Sequence, residues 1–374
     1  MKKLLFSHFL KDTLKFFTLM CLSLSLIVWV IQAVNYLDFV TEDGHSLYVY
    51  FLFTVHNFPK IIHRILPFVF FISLFYQINR YELKNELIIF WSIGISKSYF
   101  VKIVLIFSLF FLIFQTILGS YISPMSQDKA RDYIRNSNID FFPSLLQEGK
   151  FIDTVQNLTI FILSEEPFGT YNNIFLKEEF NPITSKVIYA KNGFLKVDGK
   201  KKYLELLDGQ IINRDGNKVN HFSFSKIDFD LTQYASKSIS FPKIQELNSY
   251  LLIKCLNYNA KGIQLKSKIL SCNNKITKNI KEEIFKRFYK PVYIPLLALL
   301  ACLIFFTSKE NRKFSFNRSV IFFIGILTIV ISEVSLRYSI ESIIGTYFFF
   351  IFPLLAILCL YIYLLIKSKK TIND

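Results

Sequence analysis

The chain has 374 residues, 52% of them hydrophobic and only 19% charged, with 42 Phe. So apolar a composition excludes an ordinary soluble protein and directs attention first to membrane segments. The formal net charge of +16 would suit a nucleic acid. However, no recognition motif accompanies it, and the basic residues gather beside apolar runs, where membrane topology accounts for them.

The N-terminal stretch carries Lys2, Lys3, Lys11 and Lys15 among Leu and Phe, the pattern of an interfacial amphipathic segment. It leads into a first apolar run at about 16–34 that no small-x-small cleavage site follows, so a retained helix is expected. A membrane core needs about 20 apolar residues in a helix. Further runs of that kind lie at about 61–78, 99–122, 289–306, 319–336 and 345–366.

Between the second and third runs lies RYELKNELIIFWSIGISKS, Arg80 to Ser98. Leu83, Leu87, Phe90 and Trp91 recur there at helical spacing. Glu82, Lys84, Asn85 and Glu86 fill the other face, and Gly94 breaks the pattern. A short surface helix over 80–98 is expected, offering carboxylates to a cytosolic partner.

Lys and Arg flank the N-terminus, the 80–98 loop, the loop holding Lys309, Arg312, Lys313 and Arg318, and the tail at Lys367, Lys369 and Lys370. The segment Asn35–Phe58 has only acidic charges, Asp38, Glu42 and Asp43. This asymmetry predicts both termini in the cytoplasm. Three parts follow: a membrane half over 1–122, an extracytoplasmic domain over 123–287, and a second membrane half over 288–374. In the middle part Asn192-Gly193, Asp198-Gly199, Asp208-Gly209 and Asp215-Gly216 are spaced as hairpin turns of an antiparallel meander. An all-β sandwich or partly open roll is expected, with a helical, lysine-rich return from about 244 to 281. A disulfide between Cys255 and Cys272 is allowed if this part is exported.

The sequence has no P-loop, no G-x-S-x-G, no H-E-x-x-H and no Cys/His metal spacing. Neither a catalytic residue nor a cofactor or metal is expected. Charged residues in or beside spans are the better leads, because burying charge in lipid is costly unless it is paired or solvated. Glu283 and Arg287, and likewise Glu333 and Arg337, stand four apart and share a helix face, so each is expected as a pair. Lys60 and Arg64 stand at the outer start of the second span. With Arg287 they are the candidates to meet an anionic headgroup.

Four local patterns, in order and in this topology, resemble the LptF/LptG permease family, the transmembrane subunits of the lipopolysaccharide-export ABC transporter. They are Leu66-Pro67-Phe68 in span two; Asn85-Glu86-Leu87 followed by Gly94-Ile95-Ser96; Glu283, Arg287 and Pro291 before span four; and Arg312 and Arg318 around Phe314 and Phe316. Asn85 replaces the usual Ser, and Trp91 stands where a smaller or basic residue is common. The run WVIQAVNYLDFVTEDGHSL leans toward the F-type paralogue. The resemblance implies six transmembrane helices with an inserted all-β, jelly-roll-like periplasmic domain in the bacterial inner membrane.

It also implies a non-enzymatic permease working with a homologous six-span permease subunit, a cytoplasmic ATPase dimer and a periplasmic bridge protein. Its cargo would be lipopolysaccharide, taken from the inner membrane for export to the outer membrane. The ATPase would dock on the 80–98 segment through Glu86 with Glu82, Leu87, Trp91 and Gly94, and spans one and five would form lateral gates. Two other readings stay open: a mechanotransmitting ABC subunit of another system, and a receptor or scaffold with a β-rich sensing domain.

Overall fold

In the computed structural model the structure describes residues 2–37, 40, 46–136, 148–155, 157–166, 169–179, 184–198, 201–216, 218–231, 243–260, 274–306, 309–310 and 312–373. Two compact units form: Met1–Ile31, His56–Asp128 and Lys243–Asp374 make one, and Gln32–Val55 with Lys129–Pro242 the other.

Among the described residues, six helical stretches are long and apolar enough to cross a membrane. The first is α1, Lys2–Asn35, an unbroken helix. Its buried residues Phe6, Phe9, Thr13, Phe17, Cys21 and Ser25 fall three or four apart. One inward stripe therefore runs through both the amphipathic segment and the span, which is why no break separates them. Short α2, Leu47–His56, precedes α3, Phe58–Leu83. The acidic segment read as an outer loop is thus partly helical, although its charges Asp38, Glu42 and Asp43 lie outside the described residues.

Pro67 sits inside α3. Lacking an N–H, it leaves the His63 carbonyl without its helical partner. The side chain of Gln115, from the next span, donates to that carbonyl at 2.8 Å. A neighbouring helix so satisfies the group that proline frees, as a membrane interior requires.

After the seven-residue α4, Glu86–Ser92, the third span is α5, Lys97–Ile117. It passes through a π turn, Leu118–Ile122, into α6, Ser123–Asn136. The helix therefore outruns the expected end at 122. The chain later re-enters the helical unit through a 3₁₀ turn, Ile244–Glu246, α7, Ser249–Ala260, and α8, Asn274–Ile284. A π turn, Phe285–Tyr289, and a 3₁₀ turn, Lys290–Val292, lead into α9, Tyr293–Cys302. Pro291 and Pro295 explain this irregular ladder, since each removes one backbone donor.

All ten residues of α9 are buried. In the most apolar window of each span, 72% is buried for the fourth against 17% for the first and last, so the fourth is the bundle's centre. α10, Phe314–Glu341, and α11, Ile343–Asn373, complete the unit.

The other unit holds one antiparallel sheet in strand order β1-β2-β3-β4-β5-β6. The strands are Phe151–Val155, Leu158–Glu166, Thr170–Glu179, Thr184–Asp198, Lys201–Asp215 and Lys218–Asp230. The order is a plain meander, as the turn spacing suggested, with no Greek-key crossover among the described strands. Ile160, Leu176 and Ile188 lie in register across three strands and are buried, with Leu204 and Leu206 nearby in the same core.

Two of the four expected turns are strand interiors: Asn192-Gly193 lies within β4 and Asp208-Gly209 within β5. The backbone explains the difference. Asn173 and Asp208 take φ of 51° and 49° inside their strands, and the strand pairing steps over Asn173, Lys191 and Asp208. Along β4 the buried residues are Ile188 and Ala190 before this row but Gly193 after it. The sheet is creased there, and the inward face changes parity. Glycine is needed at 209 by close approach, because a Cβ would lie 2.3 Å from the Tyr189 carbonyl. Asp215-Gly216 does end β5 in a turn, with Gly216 at φ 60°, and Gly199 lies outside the described residues.

Candidate functional site

The first site is built around α4. Asn85 takes φ 59°, ψ 15° at its start, a left-handed conformation that Asn tolerates better than most residues. Gly94 takes φ 76°, and a Cβ there would meet nothing within 4 Å, so backbone conformation alone calls for glycine. Ser96 then caps α5, its hydroxyl accepting the Tyr99 N–H at 3.3 Å. These three residues limit the expected 80–98 helix to Glu86–Ser92; Arg80 to Leu83 are the end of span two.

The inward face of α4 is anchored by aromatic packing. Leu87 is 1% exposed and Phe90 2%. The Phe90 ring stands edge-on to Phe6 at 5.4 Å and to Phe100 at 5.2 Å. Trp91 packs edge-on to Phe305 at 6.1 Å, and Lys97 Nζ lies 6.0 Å from the indole centre, a cation–π distance. What faces outward is Ile88, 57% exposed, and Ile89, 48%.

Several expected roles change accordingly. Leu87 is sealed in the core and is a support for the helix, unable to touch a partner. Trp91 is likewise seated against Phe305. Glu82 turns toward the loop after the fourth span, where the Lys309 N–H points at its Oε1 at 3.4 Å. Glu86, in the first turn of α4, keeps partial exposure. Ile88 and Ile89 were missed in the sequence. Splitting the apolar residues of α4 into two faces, 87/90/91 and 88/89, would have found them.

The second site lies at the other end of α3. Arg287 is 1% exposed. Its Nε donates to Glu283 Oε1, its Nη1 to the Leu247 carbonyl and to Ser249 Oγ, and its Nη2 to the Gln245 carbonyl, each at 2.9 Å. Ser249 Oγ in turn donates to the Ser120 carbonyl at 2.6 Å. The expected Glu283–Arg287 pair is formed, but a guanidinium so surrounded is not open to a headgroup. That candidacy is corrected.

Lys60 and Arg64 do line one small cavity of about 20 Å³, and Lys286 joins them. Glu283 lines the same cavity. Glu333 pairs with Lys290, which reaches it from the start of the fourth span, and not with Arg337 on its own helix.

The third site is on the sheet. Phe161, Phe175 and Tyr189 are cross-strand neighbours, and Phe151 stacks on Phe161 at 4.5 Å. They line a hollow of about 740 Å³ that extends to Lys191 and Asp208 at the crease. Phe151 is 68% exposed and Tyr189 49%, so a large apolar surface is left open, which commonly marks a binding surface.

Nearby on β5, Glu205 is held by Lys226 at 2.6 Å and Lys196 at 3.5 Å. The hydrogen bond from Lys226 holds its carboxyl below the usual carboxylate range, and the same bond raises Lys226. Burial pushes the Tyr171 phenol up. Cys255 is disulfide-bonded; Cys272 lies outside the described residues.

A protein of Rickettsia prowazekii (strain Madrid E), described as uncharacterized, is similar to this chain. The two are 23% identical over 366 residues, covering 97% of this chain and 98% of the other. The family model described as lipopolysaccharide export system permease LptF/LptG matches residues 7–367. Six membrane-length helices, an inserted sheet and a match over nearly the whole chain lead to one conclusion: this chain belongs to the LptF/LptG family, the permease subunits of the lipopolysaccharide-export ABC transporter.

Proposed function

We propose that the chain extracts lipopolysaccharide from the inner membrane together with a homologous six-span permease, driven by a cytoplasmic ATPase dimer seated on α4. The sheet unit then hands the lipid to a periplasmic bridge protein. In this reading both termini are cytoplasmic and the sheet unit periplasmic. The observation that carries the reading is the construction of α4. It is fixed to the core by Leu87, Phe90 and Trp91 yet shows Ile88 and Ile89 outward, in a chain with no nucleotide-binding motif. Such a helix is suited to pass a push from a partner into the bundle as a rigid body.

Lys60, Arg64 and Lys286 are assigned to the phosphorylated headgroup, and the aromatic hollow to acyl chains in transit. The reading is tested by placing photo-crosslinking side chains at positions 60 and 64 in membranes that contain lipopolysaccharide and phospholipid. ATP-dependent adducts with lipopolysaccharide are expected; adducts with phospholipid alone would overturn the cargo assignment.

A further inference from the structure

We propose that a groove between the first half of α1 and α5 is a site for one anionic phospholipid, and that its occupant steadies α4. The site rests on the membrane reading, and depends neither on the cargo nor on which end of the chain is cytoplasmic.

The groove encloses about 420 Å³, within the range of built ligand sites. Phe6, Leu10 and Leu14 form one wall, and Tyr99, Ile103 and Phe107 the other. Lys2, Lys3 and Lys11 stand at its edge, and no carboxylate lines it. Among the described residues none of these three lysines forms an ion pair. The nearest acid on the helix, Asp12, is already engaged: it accepts the Tyr81 hydroxyl at 3.1 Å and faces His8 at 3.6 Å.

An apolar trough with unpaired ammonium groups at its mouth matches one molecule type, an acyl chain carrying an anionic phosphate. A neutral apolar helix would fill the trough but leave the lysines uncompensated. A zwitterionic lipid would bring a second cation to them. Anionic headgroups gain at each lysine near a membrane surface, and the lysine stems can lie along the apolar wall while their heads reach the phosphate.

The groove is tied to the first site through Phe6. That ring forms part of the wall and also stands 5.4 Å from Phe90 of α4 and 5.1 Å from Phe100. Phe6 is itself only 5% exposed, so a chain in the trough covers the outer edge of a ring whose inner side already packs on α4 and adds to that support.

The test uses the full chain in nanodiscs of mixed phosphatidylglycerol and phosphatidylcholine, read by native mass spectrometry and by hydrogen exchange over residues 86–92. Wild type should retain phosphatidylglycerol preferentially. Each Lys→Gln change at 2, 3 and 11 should cut that preference about fivefold, and the three together on the order of a hundredfold. Exchange over 86–92 should be slower with phosphatidylglycerol than without it, and this difference should vanish in the triple variant.

Leu14→Trp, which fills the trough and keeps the lysines, should displace the lipid and provides a second route should the triple variant fail to insert. Equal retention of the two lipids, or undiminished preference in both variants, would overturn the site. So would crosslinks from position 10 that reach only protein, the outcome expected if a partner helix fills the trough. None of these readouts needs lipopolysaccharide or the ATPase, so failure here is distinct from failure of the export reading.

Discussion

Arg287 donates from Nη1 to the Leu247 carbonyl at 2.9 Å, a bond that fastens the fourth span to the segment leading back into the helical unit. With Glu283, Ser249 and Gln245 it makes four such bonds from a residue 1% exposed. A buried ion pair is weak evidence of net stabilisation, because desolvation offsets the attraction. Breaking one side of it is another matter, since the remaining charge and carbonyls are left without partners.

Arg287→Ala should therefore lower unfolding free energy by about 3–5 kcal/mol, seen as a large fall in Tm of the purified chain in detergent. Arg287→Lys should fall between, because a point ammonium cannot serve two carbonyls, a hydroxyl and a carboxylate in one plane. Arg64→Ala, at an exposed position, should move Tm little. Equal shifts for Arg64→Ala and Arg287→Ala would remove the distinction drawn between a fastening residue and an open cation.

What the sequence revealed depended on how long-ranged the cause was. Span number, strand-rich insertion and the Glu283–Arg287 pair follow from hydropathy, turn residues and i,i+4 spacing, all local. The partner of Glu333 was not legible. Arg337 is four residues away, but Lys290 approaches from another helix, a matter of tertiary packing. The inner role of Leu87 was hidden for the same reason, since only the approach of Phe6, Phe100 and Phe305 decides which apolar face of α4 is covered. Asp208-Gly209 misled because a crease in a strand uses the same left-handed residues as a hairpin turn.

Glu205 makes the sheet acid-sensitive. Its folded pKa is depressed by Lys226, so its contribution is fully present above the unfolded carboxylate value of about 4.3 and is lost as pH falls through the folded value. Between pH 7 and 5 the sheet should show no change from this group. Below about pH 4.3, β5 amides should exchange progressively faster in hydrogen-exchange mass spectrometry of the full chain. Glu205→Gln should weaken the sheet at neutral pH and flatten this acid response. An acid response of wild-type steepness in that variant would place the titrating group elsewhere.

The two faces of α4 predict opposite phenotypes within four residues. Ile88 and Ile89 are exposed, and burying such a side chain against a partner is worth about 1.5–3 kcal/mol. Ile88→Asp and Ile89→Asp should each reduce co-purification with the ATPase at least about tenfold while Tm stays near wild type. Glu86→Lys should do the same by reversing the charge in the first turn. Leu87→Asp should instead lower Tm, because it puts a carboxylate at a site 1% exposed beside Phe90. Co-purification is then lost only as folding is lost. Binding that survives Ile88→Asp, Ile89→Asp and Glu86→Lys at full strength would mean that the ATPase sits elsewhere, and that the aromatic anchoring of α4 serves the bundle alone.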